Sequence, residues 1–300
     1  MNAREQGFLL LTSKLGNPER KTLTVAQLRR LAARIAGAER PMEDRDLCSR
    51  DLTALGYDRM MAERIVALLE ETDLLEHYLS RAWRMDCYPI TRVSETYPAA
   101  VRQKLGLDSP GCLWAKGDVT LLQTPKIALV GSRDLHPENL EFARQVGKQA
   151  ALQGHTLVSG NARGADKTAQ EACLEHGGRV ISIVADQLER HPLRRNVLYL
   201  SEEEYDGEFS PARALSRNRV IHTLGELTLV AQATLERGGS WDGTVRNLHN
   251  GWNPVFCFAD GSPAFTRLTQ LGAMGIGTDD LADLEKLTRS SQQINMEELL

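Results

Sequence analysis

The residues best suited to chemistry lie in short turns of glycine, serine and arginine in the second half of the chain. Gly131-Ser132-Arg133 follows the apolar run Ile127–Val130. Glycine lets the backbone turn sharply there, serine offers a hydroxyl, and arginine offers a planar donor fork matched to phosphate oxygens. The triplet alone fits a plain surface turn equally well. Ser159-Gly160-Asn161-Ala162-Arg163-Gly164, followed by Asp166 and Lys167, is more informative. Its glycines bracket an arginine between a strand end and a helix start, where free amides and the helix dipole favour an anion. A structural turn does not require arginine, so Arg163 reads as a ligand contact. Asp166 fits a cap as well as it fits a ligand. Arg217-Asn218-Arg219 reads as a third loop, ahead of Val220-Ile221. The six arginines between 187 and 219 (190, 194, 195, 213, 217, 219) are offset by six acids (189, 202, 203, 204, 206, 208). A positive field there requires the fold to segregate the two sets. Gly238-Gly239-Ser240-Trp241 opens a further helix; Gly239 and Ser240 are phosphate candidates, and Trp241 reads as core packing ahead of base stacking.

Other chemistry lacks its residues. No Gly-x-Gly-x-x-Gly follows a strand, and GxxxxGK[ST], HExxH and GxSxG are missing. The histidines near helix ends, His136, His155 and His176, read as capping or exposed groups, and no nucleophile pairs with a base. A nuclease would need clustered acids for metal ions, and the loops offer Asp166 and Asp242 alone. The five cysteines are odd in number, with no pair closer than the 25 residues from Cys87 to Cys112. Neither a disulfide framework nor a zinc site is expected, and a reducing cytoplasm is the simplest setting. The net charge of -4 argues against coating nucleic acid by bulk charge, while leaving room for a local basic groove.

These turns need a framework to hold them. At 300 residues, 42% hydrophobic and 25% charged, the chain is ordinary globular material of about two domains, without a membrane span. The opening segment has only Phe8-Leu9-Leu10-Leu11 as an apolar core, too short for a secretory signal. The first ~115 residues read as a helical domain and connector. Thr24 and Gln27 form a capping box ahead of Leu28, Leu31, Ala32 and Ile35, with Gly37 as the stop. Residues 20–40 carry six basic groups against Glu39, read as a solvated face ahead of a nucleic-acid contact. Leu52–Leu79, with its Leu55-Gly56-Tyr57 turn, is compatible with a helix-hairpin-helix but fits ordinary helical packing better. Residues 116–287 alternate strands and helices: Ile127–Val130, a helix from Pro137 with Leu140, Ala143, Val146 and Ala150 inward, Thr156–Val158, a helix to Leu174, Val180–Ala185, Leu227–Val230 and Val255–Phe258. Apolar strand runs alternating with helices predict an α/β domain: a mainly parallel sheet, covered on both faces, with its loops on one edge. Residues 288–300 read as a short acidic tail.

The ordered set GSR (131–133), SGNARGAD (159–166), SRNR (216–219), GGS (238–240), FADGS (258–262) and LGAMGI (271–276) resembles the DNA-processing protein A family, DprA or Smf. The likeness runs over roughly residues 85–285, and Cys87–Ile90 with Glu95–Pro98 resembles the family's entry into the fold. It implies a Rossmann-like domain that binds single-stranded DNA without cleaving it, protects incoming DNA and loads the RecA recombinase during natural transformation. A homodimer, a cytoplasmic location, and no cofactor or metal follow from the same resemblance. By motif, Arg133, Gly160, Arg163, Gly164, Arg217, Asn218 and Arg219 would line the DNA groove, with affinity falling steeply with salt. The chain departs from the pattern at Ala165, Lys167, Ser216 and Asp242 and lacks the winged helix of many members, which marks a divergent branch. The alternative is the same fold acting on a small nucleotide, as a sensor or a phosphoribohydrolase. Asn247 falls where the hydrolase signature PGGxGTxxE would need its glutamate.

Overall fold

Residues 1–38 and 47–288 are described in the computed structural model. The chain opens with α1 (Ala3–Thr12), α2 (Val25–Ala36), α3 (Ser49–Ala54), α4 (Arg59–Glu70) and α5 (Thr72–Trp83). Short polar residues satisfy orphan amides in the first turns of α1, α2 and α4. Asn2 pairs with Glu5 at α1, and Thr24 with Gln27 at α2, whose end falls at Gly37 as expected. The four apolar residues of the opening segment are buried in α1. Leu11, Leu23, Leu31, Leu52, Ala62, Ile65 and Leu68 form a small core of their own. The Leu55-Gly56-Tyr57 turn joins α3 to α4, with the Arg34 guanidinium 4.2 Å above the Tyr57 ring. Within the basic run, Arg29 and Arg30 are exposed, Glu39 and Arg40 fall outside the described residues, and Arg20 is buried. The Arg20 guanidinium donates to the carbonyls of Leu10 and Ser13 and pairs with Glu71 at 2.6 Å. That residue is a strut rather than part of a solvated face.

A nine-stranded sheet follows. Its strands are β1 (Tyr88–Thr91), β2 (Cys112–Gly117), β3 (Lys126–Val130), β4 (Thr156–Ser159), β5 (Arg179–Val184), β6 (Val197–Glu202), β7 (Thr228–Val230), β8 (Val255–Phe258) and β9 (Met274–Ile276). Between them run α6 (Ala99–Leu105), α7 (Pro137–Leu152), α8 (Ala165–Glu175), α9 (Pro211–Leu224), α10 (Gly238–Asn250) and α11 (Pro263–Gln270). The spatial order is β1-β2-β6-β5-β4-β3-β7-β8-β9, with β2 antiparallel to both neighbours and β6 through β9 parallel. The chain builds outward from β3 to β6, then crosses to the other flank of β3 at β7. A crevice therefore opens between β3 and β7 at the carboxyl ends of the strands, where sheets of this kind bind ligands.

Alternate strand residues feed opposite faces, as the pleat dictates. Ile127, Leu129, Leu157 and Val180 pack with α7, α8 and α5 on one side. Ala128, Val130, Val158 and Ile181 pack with α6, α9, α10 and α11 on the other. The expected Rossmann-like α/β architecture with helices on both faces is present. The dividing line expected near residue 115 falls inside β2, so the connector of the sequence reading supplies two sheet strands. A cluster of Tyr78, Trp114 and Tyr205, with ring centroids 4.7–5.5 Å apart, fastens α5 to the sheet. β1, β2, β6 and β9 were not legible beforehand, and Leu140 on α7 is exposed rather than inward. The tail expected at 288–300 lies, apart from residue 288, outside the described residues.

Candidate nucleic-acid interface

The turns singled out from sequence interlock at the carboxyl ends of β3 and β4. The Ser132 amide donates to the Gln232 carbonyl at 2.9 Å, and the Ser132 carbonyl accepts from the Ala165 amide at 3.1 Å. Gly164, with φ +85°, lies so close beneath this strand end that a Cβ would sit 2.5 Å from the carbonyl oxygens of Ser132 and Arg133. Only glycine combines that backbone with that approach. The Ser240 hydroxyl, in the first turn of α10, donates to the Gly131 carbonyl at 2.6 Å. The Asn218 amide on α9 donates to the Gly239 carbonyl at 2.9 Å. Asp166, 7% exposed, accepts from the Ala162 amide at 3.1 Å, so it caps the turn from within. Burial pushes its carboxyl up, and the nearby Arg217 charge opposes that shift.

Three side chains of the set project outward: Arg133, Arg163 and Lys167. Arg133 makes no ion pair among the described residues, while Arg163 meets Asp134 at 2.6 Å with both side chains well exposed. The two arginines border a cleft of about 410 Å³, floored by Gly160, Asn161, Ala162 and Val184. Its far wall holds Asp186, His191 and the exposed ring of Phe209. His191 Nε2 lies 2.8 Å from Asp186 Oδ1, and the imidazole stacks on Tyr199 with centroids 5.0 Å apart. Sequence reading missed this wall. The signal was available, because Asp186 to His191 follow β5 at the same sheet edge as the other two loops.

Residues 217–219 depart from expectation. They lie in the middle of α9 rather than in a loop. Arg217 is 8% exposed and donates from Nη1 to the Ile183 carbonyl at 2.7 Å. Arg219 turns away, pairing with Glu202 at 3.3 Å and donating to the Asp108 carbonyl. Thus Arg133 and Arg163 share the cleft, while Arg217, Asn218 and Arg219 do not border it. Trp241 is a core residue, 7% exposed. Asn247, at the position a hydrolase would need as glutamate, is buried and bonds His222, Thr228 and Asn253. Among the described residues no group of three or more His, Cys, Asp or Glu is placed to hold a metal ion. Nor, among the described residues, is any helix long and apolar enough to cross a membrane. All five cysteines are free, and burial pushes the Cys173 thiol up to about 11.

Fold and site together define a Rossmann-like protein whose glycine- and arginine-bearing turns meet at the switch point of a parallel sheet. Residues 89–264 match the family described as DNA recombination-mediator protein A, and the chain belongs to that family, whose curated members are named DprA or Smf. The DNA processing protein DprA of Streptococcus pneumoniae is 32% identical over 217 residues, covering 67% of this chain and 72% of that protein. Protein Smf of Escherichia coli is 33% identical over 156 residues, covering 48% of this chain but only 41% of that one. The crystal structure of the S. pneumoniae protein superposes with a TM-score of 0.71 at 24% identity, covering 95% of this chain and 99% of that one. A Helicobacter pylori DNA processing protein A, described for its single-stranded DNA binding mode, superposes with a TM-score of 0.56 at 25% identity, covering 66% and 94%.

Proposed function

We propose that this chain binds single-stranded DNA through the cleft bordered by Arg133 and Arg163 and acts on that DNA by holding it, without cleaving it. The carrying observation is that two exposed guanidinium forks flank one cleft at the carboxyl ends of β3, β4 and β5, above a base of interlocked glycine turns. Such forks suit phosphate oxygens, and a rigid base presents them without a large ordering cost. The family membership supports the same reading, and the H. pylori relative is described as binding single-stranded DNA. Delivery of the bound strand to RecA, protection of incoming DNA, action as a homodimer and a cytoplasmic location complete the proposal by family analogy.

The test is a titration of a fluorescent oligo-dT of about 30 nucleotides against duplex of the same length, across salt, where log affinity for single strands falls by ~0.7 per phosphate neutralised. Arg133→Ala and Arg163→Ala should each weaken binding by ~1–3 kcal/mol. A wild-type protein that ignores the oligomer at low salt, or prefers the duplex, overturns the reading. Competition with free mononucleotides separates it from the nucleotide-sensor alternative, which demands displacement at low concentrations.

A further inference from the structure

Resting on that reading, we infer that Arg217 is a positioning residue of the cleft and not a phosphate ligand. From α9 its guanidinium packs against the backbone of Gly160. A Cβ at position 160 would fall 1.6 Å from Arg217 Nη1, so the glycine and the arginine exist as a fitted pair. Nη1 donates to the Ile183 carbonyl at the end of β5. Nε is buried without a partner, and the residue is absent from the cleft lining. Asp166, buried across the same turn, holds the Ala162 amide and is the opposite charge that acts most strongly on Arg217.

The 160–164 turn is therefore clamped between two buried charges on different helices, Arg217 of α9 and Asp166 of α8. Arg163 is the one arginine the turn carries outward. Buried charges of opposite sign are costly to separate, because removal of one leaves the other uncompensated. The clamp thus gives the turn a single geometry. Precision of this kind is what a shallow anion site needs, since its ligand meets few other fixed groups.

The experiment measures oligo-dT affinity against salt for wild type, Gly160→Ala, Arg217→Met, Arg163→Ala and the Arg163→Ala/Arg217→Met pair, with a thermal melt of each. Gly160→Ala keeps every charge and displaces only the guanidinium. It and Arg217→Met should each weaken binding on the order of tenfold, the size of one lost charge-assisted contact. In the Arg163→Ala background Arg217→Met should add nothing, because both act through the same outward arginine. Independent loss in that background, with a further fall of ~0.7 in the salt slope, would make Arg217 a phosphate ligand and overturn the inference. Wild-type binding by Gly160→Ala overturns it too. Where Arg217→Met fails to melt as a folded protein, Gly160→Ala alone and combined with Arg163→Ala decides the matter. Failure of the parent reading looks different: the wild type itself would not bind.

Discussion

At the proposed anion site, Arg163 is paired with one acidic neighbour, Asp134. Their ion pair is exposed, and such pairs are worth ~0.2–1 kcal/mol. That is small for stability but significant for binding, since phosphate must displace the carboxylate to reach the fork. Asp134→Asn should therefore tighten oligo-dT binding about two- to fivefold at low salt. The gain should vanish in the Arg163→Ala background; a gain that persists there would mean Asp134 acts through another group. At this scale the motif divides into two kinds of residue. Gly131, Ser132, Gly160, Gly164, Asp166 and Ser240 build the platform, and Arg133, Arg163 and Lys167 stand on it. Residue type alone does not distinguish a buried arginine from an exposed one, so Arg217 and Arg163 read alike.

Helices and strands were legible wherever their signals were local. Capping at Thr24, Pro137 at the first position of α7, and the apolar runs of β3, β4 and β5 all name themselves through contacts within a few residues. The strand β6 did not, because its run Val197–Glu202 ends in an acid. Glu202 is tolerated there since Ser216 donates to it at 2.7 Å and Arg219 pairs with it. Arg20 makes the same point in the helical region, where it satisfies carbonyls at the end of α1. Replacing it with alanine leaves the Leu10 and Ser13 oxygens buried and unpaired, a cost of about 2–4 kcal/mol. Denaturant titration of Arg20→Ala measures this, and a loss below about 0.5 kcal/mol would return Arg20 to the ordinary surface class.

Across the whole molecule, the buried polar network around His222 links stability to pH. His222 is fully buried between α9, β7 and α10, and burial alone pulls its imidazole down to about 3. In the unfolded chain the ring titrates near the usual ~6.5. Between those values the unfolded state binds the extra proton, so stability rises with pH through this window and is fully present above about 6.5. At pH 4.5 the penalty is about 3 kcal/mol relative to neutral pH. His222→Asn should flatten the acid limb of the melting-temperature profile, even where it lowers stability at pH 7.5. An unchanged acid limb would place the sensitivity in other groups.

Sequence by itself determined the class of fold and the arrival of the 131–133 and 159–164 turns at one sheet edge. Each of these follows from short-range rules: apolar periodicity, helix caps, and the single hand of strand-helix-strand connections. It did not determine which arginines meet solvent. That depends on the long crossover from β6 to β7, which carries α9 across the sheet face and beneath the 160–164 turn, so that Arg217 is enclosed while Arg163 is left outside. Side chains of one chemical kind are sorted by contacts between segments more than 30 residues apart, and a chain read locally holds no record of them.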